Sequence, residues 1–144
     1  MTGRIDAKLK ALGIDLPTPP APVASYVPYV RTGDLVFVSG QVTIGPKGLE
    51  YVGIVGKDFT TDEGKAAARL CAVNLIAQAR AACGGDLDRV KRVVKVTAFV
   101  NAVPGYAEHP EVANGASDLF VEVFGDAGRH ARAAVGAGSL PRNV

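Results

Sequence analysis

The octapeptide Val93-Val94-Lys95-Val96-Thr97-Ala98-Phe99-Val100 constrains this chain more than any other segment. Its unbroken run of β-branched, aromatic and small residues predicts a strand. Strand side chains alternate between faces. Val94, Val96, Ala98 and Val100 therefore share one face, and Val93, Lys95, Thr97 and Phe99 the other. Both faces are largely apolar, so the strand is expected to be covered on both sides. A chain of 144 residues has few helices to spend on two faces, and the second face is expected to meet another subunit.

The surrounding pattern supplies the cover for the first face. The longest helix is predicted over about Thr61 to Cys83. Thr60 and Glu63 have the spacing of a capping box, and Gly84-Gly85 supplies the stop. Ala68, Cys71, Ala72, Leu75, Ile76, Ala79, Ala82 and Cys83 fall on one face, mostly small, which predicts close packing on a sheet. A second amphipathic helix opens near Pro110, carries Val112, Ala116, Leu119 and Val123 on its face, and ends at Gly125. His130 to Gly138 is a further strand.

Earlier in the chain, Tyr26–Arg31 and Leu35–Ser39 read as a hairpin turning at Thr32-Gly33-Asp34. Gly45-Pro46-Lys47-Gly48 is a second turn, followed by a short apolar run over Tyr51–Val55. At the start, Ile5, Leu9 and Leu12 mark a short helix over about Thr2 to Leu12, stopped by Gly13. Four prolines within residues 17–22 then forbid both helix and central strand, leaving an extended tether. The order helix, β, β, β, α, β, α, β predicts one α+β domain over residues 1–144. Its two main helices should lie on one face of a mixed sheet, with helix and tether at 1–24.

Apolar residues make up 48% of the chain, enough for a core, but no stretch approaches the roughly 20 that a membrane helix needs. The opening MTGRIDAKLKALGI has no apolar h-region, so the cytoplasm is the expected location. A net charge of +2, 6% aromatics and no Trp argue against a nucleic-acid partner. Two cysteines cannot build a disulfide framework or a four-ligand zinc site. On one helix Cys71 and Cys83 stand about 18 Å apart, too far to pair, and read as packed thiols. No metal or organic cofactor is expected. A phosphate loop ending GK[ST] is absent, and Gly136-Ala137-Gly138 lacks the third glycine of a dinucleotide fingerprint.

Few residues remain to carry chemistry. Arg132, flanked by small residues within His130-Ala131-Arg132-Ala133-Ala134-Val135-Gly136, keeps its planar fork accessible. A small carboxylate could dock there through two parallel hydrogen bonds. A solvated or ion-paired edge arginine fits the same pattern. His130 projects on the same face as Arg132 and serves either as a base or as a packed ring. Tyr26 at a strand start either offers a hydroxyl to a cleft or packs. Asn114 at the opening of the second helix either donates to a ligand or bonds locally. The run Arg89-Val90-Lys91-Arg92 reads as a solvated strand start, its field diluted by Asp86 and Asp88.

These segments together resemble the YjgF/YER057c/UK114 family, also called the Rid family. The resemblance rests on Asp34-Leu35-Val36-Phe37-Val38-Ser39-Gly40-Gln41, on Asn74-Leu75, on the Val94–Val100 strand, and above all on Ala131-Arg132-Ala133 with Leu140-Pro141 eight residues after the arginine. It runs from about Tyr26 to Val144. It implies a chorismate-mutase-like α+β fold assembled as a homotrimer, with ligand clefts between subunits. The activity it implies is hydrolysis of reactive 2-enamine and 2-imino acids, such as 2-aminoacrylate, to 2-keto acids and ammonia. Arg132 would hold the substrate carboxylate and Tyr26 would be the pocket tyrosine, with the Gly40 backbone lining the pocket. Ala134 stands where the family often has Cys or Ser, so only its backbone could contribute. The resemblance also implies a water-activating glutamate on a strand after Leu-Pro, beyond Val144; His130 is the candidate to replace it. The alternative reading is non-catalytic binding or sensing of small carboxylates at the subunit interface. The family has also carried an endoribonuclease label.

Overall fold

The computed structural model describes residues 3–19, 21 and 23–144. Helix α1 (Arg4–Ala11) buries Ile5 and Leu9. Its start is capped from far along the chain. The Arg4 and Ile5 amides donate to Asp88 Oδ2 and Oδ1 at 2.9 and 2.8 Å. These two donors, Ile5 foremost, hold the Asp88 carboxyl below its usual range. Leu12 lies just outside the helix as its C-cap. The predicted start at Thr2 and two tether prolines, Pro20 and Pro22, lie outside the described residues. The described tether residues carry no regular secondary structure.

Strands β1 (Tyr29–Thr32) and β2 (Leu35–Val38) form the expected hairpin, with Tyr29 opposite Val38 and Thr32 opposite Leu35. Its two-residue loop places Gly33 at φ +57, the positive angle that the primed turns of tight hairpins need. The first strand begins at Tyr29 rather than Tyr26. Pro28 has no N–H to give to a ladder, and the Ser39 hydroxyl instead donates to the Val27 carbonyl at 2.6 Å. Strands β3 (Ile44–Gly45) and β4 (Gly48–Leu49) flank the Pro46-Lys47 turn. The Tyr51–Val55 run is no strand. Tyr51 takes φ +54, and only Val55 forms bridges, to Phe59 and Ala102.

Helix α2 (Thr61–Ala82) carries the predicted capping box, with Thr60 and Glu63 each bonded to the other's backbone amide. Strand β5 (Lys95–Asn101), helix α3 (His109–Phe124) and strand β6 (Ala131–Ala137) follow. The two strands run parallel, with Lys95 beside Ala131 and Asn101 beside Ala137. Parallel strands require a crossover, and α3 supplies it. The core lies where α1, α2 and α3 meet, around Leu9, Ile76, Leu87, Leu119, Phe120 and Val123.

Two expectations are corrected. Among the described residues the strands form three separate two-stranded ladders rather than one mixed sheet, with α2 lying over the hairpin and α3 over β5–β6. The small face of α2 approaches another helix more closely than a sheet. A Cβ at Gly115 on α3 would overlap the Lys65 carbonyl of α2, and one at Gly64 would stand 3.1 Å from Val112 Cγ2. Strand β5 is covered on one face only within the protomer, which leaves its second face open for the expected subunit contact. Val100 is buried and Val96 and Ala98 are half-buried under the helices, while Phe99 is 62% exposed.

Candidate functional site

In a parallel ladder, residues in register point to the same side. Arg132 pairs with Val96, so it shares the helix-facing side of β6. It is half-buried, and α3 crosses above it. The helix presents Asn114 and Ser117, one turn apart. Arg132 Nη1 donates to Asn114 Oδ1 at 2.8 Å and to Ser117 Oγ at 3.1 Å. Both protons of that nitrogen are thereby used. A guanidinium has five N–H donors, so Nε–H and the Nη2 pair remain. They form one side of the fork, the geometry that accepts a carboxylate through two parallel bonds. Among the described residues no carboxylate lies within salt-bridge distance of Arg132.

His130 lies immediately before β6 rather than within it, on the side predicted. Its Nε2 is 2.9 Å from Ser117 Oγ and its Nδ1 is 2.6 Å from the Gly128 carbonyl. Phe120 meets the imidazole edge-on at 5.7 Å. Both ring nitrogens are therefore engaged, and the histidine is no free base. Ala134 sits half-buried beside Ala98 on the same side of β6 as Arg132.

The structure thus brings together Arg132, Asn114 and His130, and adds Ser117, which sequence reasoning passed over. The i, i+3 spacing of Asn114 and Ser117 on a predicted helix was the available signal. Tyr26 and Gly40 are not part of this cluster within the protomer. Tyr26 is 66% exposed in the bend before β1 and bonds to none of these groups. Gly40 is exposed just after β2, and a Cβ there would meet nothing within 4 Å. Both stand at the open end of the hairpin, which Ser39 ties to Val27.

A separate open cleft of about 420 Å3 lies between the first turns of α2 and α3. Thr61, Lys65, Glu108 and Asn114 are among its walls, but Arg132 is not. There Thr61 Oγ1 stands 2.6 Å from the Tyr106 hydroxyl and donates to Glu108 Oε2 at 3.1 Å. With Asp62, Glu108 and Glu111 against one lysine, this cleft has the wrong sign for an acid ligand.

The basic run has a structural use. Arg89 Nη1 donates to the Cys83 carbonyl at 3.2 Å and Arg92 Nη2 to the Arg129 carbonyl at 2.7 Å. Cys71 and Cys83 are both free thiols, and burial pushes Cys71 up to about 11. Among the described residues no helix is long and apolar enough to cross a membrane.

Comparison with known proteins bears on the fold and the family. Residues 6–144 match the family model described as "YjgF/chorismate_mutase-like, putative endoribonuclease". The protein TCP17 of Trypanosoma cruzi is 51% identical over 141 residues, covering 97% of this chain and 88% of its own. A crystal structure of a protein of unknown function from Agrobacterium tumefaciens superposes with a TM-score of 0.90 at 46% identity, over 97% of this chain and 86% of that one. A Shewanella oneidensis structure described as "a putative endoribonuclease" gives 0.92 at 38% identity, over 98% and 93%. With its fold, its late arginine and these likenesses in agreement, the chain belongs to the YjgF/chorismate mutase-like family.

Proposed function

We propose that this chain hydrolyses reactive 2-enamine and 2-imino acids, of the 2-aminoacrylate type, to 2-keto acids and ammonia. Arg132 holds the substrate carboxylate. The observation that carries this reading is a half-buried guanidinium anchored through one nitrogen by two neutral oxygens, with no carboxylate beside it among the described residues. A partly desolvated cation without a counter-ion favours an anion from outside. The free Nε–Nη2 edge gives that anion a fixed direction.

The chemistry asks little more. The enamine takes a proton at its terminal carbon to become the iminium. Water adds to C2, and the resulting carbinolamine expels ammonia to leave the keto acid. Orientation alone can supply several kcal/mol of such a barrier. No metal or organic cofactor enters this scheme.

The remaining pocket groups come from a neighbouring copy in a homotrimer. This is supported by two apolar cross-strand pairs left open in the protomer. Val30 and Phe37 face each other in the hairpin at 53% and 60% exposure, and Phe99 neighbours Val135 in β5–β6. Such surfaces mark association sites. In this reading the hairpin end, with Tyr26 and Gly40, approaches the Arg132 of a neighbouring copy.

The test is ammonia release from 2-aminoacrylate generated in situ. Wild type should accelerate it and Arg132→Ala should not; equal release by both refutes the enzyme reading. A second reading, binding of small keto acids without turnover, is favoured by the engagement of both His130 ring nitrogens, which leaves no free base beside Arg132. It predicts saturable 2-ketobutyrate binding by calorimetry with no ammonia release. RNA cleavage that survives purification and depends on Arg132 would instead support the endoribonuclease description borne by relatives.

A further inference from the structure

We propose that His130, acting through Ser117, is a positioning residue that fixes which edge of the Arg132 guanidinium faces a bound carboxylate. The inference rests on the reading of Arg132 as the carboxylate clasp. The hydrogen bonds themselves run in one direction only. The Gly128 carbonyl can only accept, so at 2.6 Å it requires the imidazole proton on Nδ1. A neutral ring with Nδ1–H leaves a lone pair on Nε2, which then accepts the Ser117 hydroxyl proton at 2.9 Å. Arg132 has donors and no acceptor, so Nη1–H must donate to Ser117 Oγ at 3.1 Å. The chain therefore reads Arg132 to Ser117 to His130 to the Gly128 carbonyl. Were the proton on Nε2, two lone pairs would face each other at Nδ1, and Ser117 would have to turn its own proton away.

This directionality gives Ser117 a lone pair aimed at Nη1. With Asn114 it makes a two-point hold on a single nitrogen. One acceptor alone would leave the guanidinium free to pivot about that bond. Two fix its plane and leave the Nε–Nη2 edge as the docking side. The ring of Phe120 packs edge-on against the imidazole at 5.7 Å.

The same arrangement argues against Ser117 as a nucleophile, although it sits beside a histidine. Its oxygen already accepts from a cation, which lowers its reactivity toward an electrophile. The role that fits is orientation.

The test uses the full-length chain, 2-ketobutyrate as probe and isothermal titration calorimetry. Ser117→Ala and His130→Phe should each weaken binding about tenfold, the cost of one charge-assisted hydrogen bond. The double variant should be no weaker than either single one, because His130 works through Ser117. Independent losses that multiply overturn the relay. If Ser117→Ala binds like wild type while Arg132→Ala loses binding, the relay fails and the carboxylate clasp stands. If Arg132→Ala keeps full affinity, the clasp itself fails. A readout that does not depend on any variant folding is the ring 15N spectrum of His130. The Nδ1–H tautomer supports the proposal, and the Nε2–H tautomer overturns it.

Discussion

Replacing Gly115 with alanine tests how the two long helices meet. A Cβ at this position would lie 2.8 Å from the Lys65 carbonyl carbon and closer still to its oxygen. Ordinary contacts begin near 3.4 Å. The obstacle is the backbone of α2, which cannot turn aside as a side chain can. Clearing the oxygen requires the helices to part by about 1.5 Å, and a gap of even 0.5–1 Å forfeits about a quarter to a half of the dispersion attraction across it. Overpacking of this kind costs about 3 kcal/mol at the upper end of its usual range. Alanine returns about 1 kcal/mol of helix propensity over glycine. The net expectation is a loss of about 2 kcal/mol. For a chain of this size that lowers the melting midpoint by roughly 7 °C. Calorimetric or circular-dichroism melts at one protein concentration measure it, with Gly138→Ala as control, since a Cβ there meets nothing within 4 Å. A Gly115→Ala midpoint equal to or above wild type would refute the claim that this glycine sets the helix approach.

Asp88 gives two further expectations. Asp88→Ala should free the start of α1 and speed tryptic cleavage after Lys8 and Lys10; unchanged cleavage would mean that Ile5 and Leu9 alone hold the helix. The folded-state pKa of Asp88 is depressed, so its contribution is present above the ordinary 3.8 and is lost as pH falls through its lower folded value. Protection of α1 amides should therefore decline in that acid window in wild type and not in the alanine variant. With its thiol pushed up from 9.0 to about 11, Cys71 should carry about a hundredfold less thiolate near pH 8 than an ordinary cysteine. It should react correspondingly slowly with thiol reagents, and rapid labelling of Cys71 in the folded chain would contradict its burial.

The features legible in the sequence are those set by neighbours along the chain. The Thr60–Glu63 capping box, the Gly33 hairpin and the shared side of His130 and Arg132 all follow from spacings of two or three residues. What stayed hidden needs tertiary placement. Asp88 caps a helix 83 and 84 positions away, and no local pattern signals that. Gly115 is an unfavourable helix residue whose reason exists only where Lys65 crosses it. Ser117 becomes an acceptor for Arg132 only once the crossover is laid over β6. The division into three ladders escaped pattern reading because strand propensity does not say which strands pair. The open second face of β5 remained visible in the sequence only as an apolar run, with its exposure set by what the protomer lacks helices to cover.

The crossover between the two parallel strands also decides how Arg132 comes to be held. Asn114, Ser117, Gly128, His130 and Arg132 all belong to one contiguous stretch of 19 positions, 114–132. Loops that short close at little entropic cost and favour early contact formation. The groups that orient the arginine can therefore meet by local closure of this stretch, once β6 is laid beside β5. Neither the first helix nor the hairpin supplies any of these five groups, so substitutions there should leave the two-point hold on Arg132 in place.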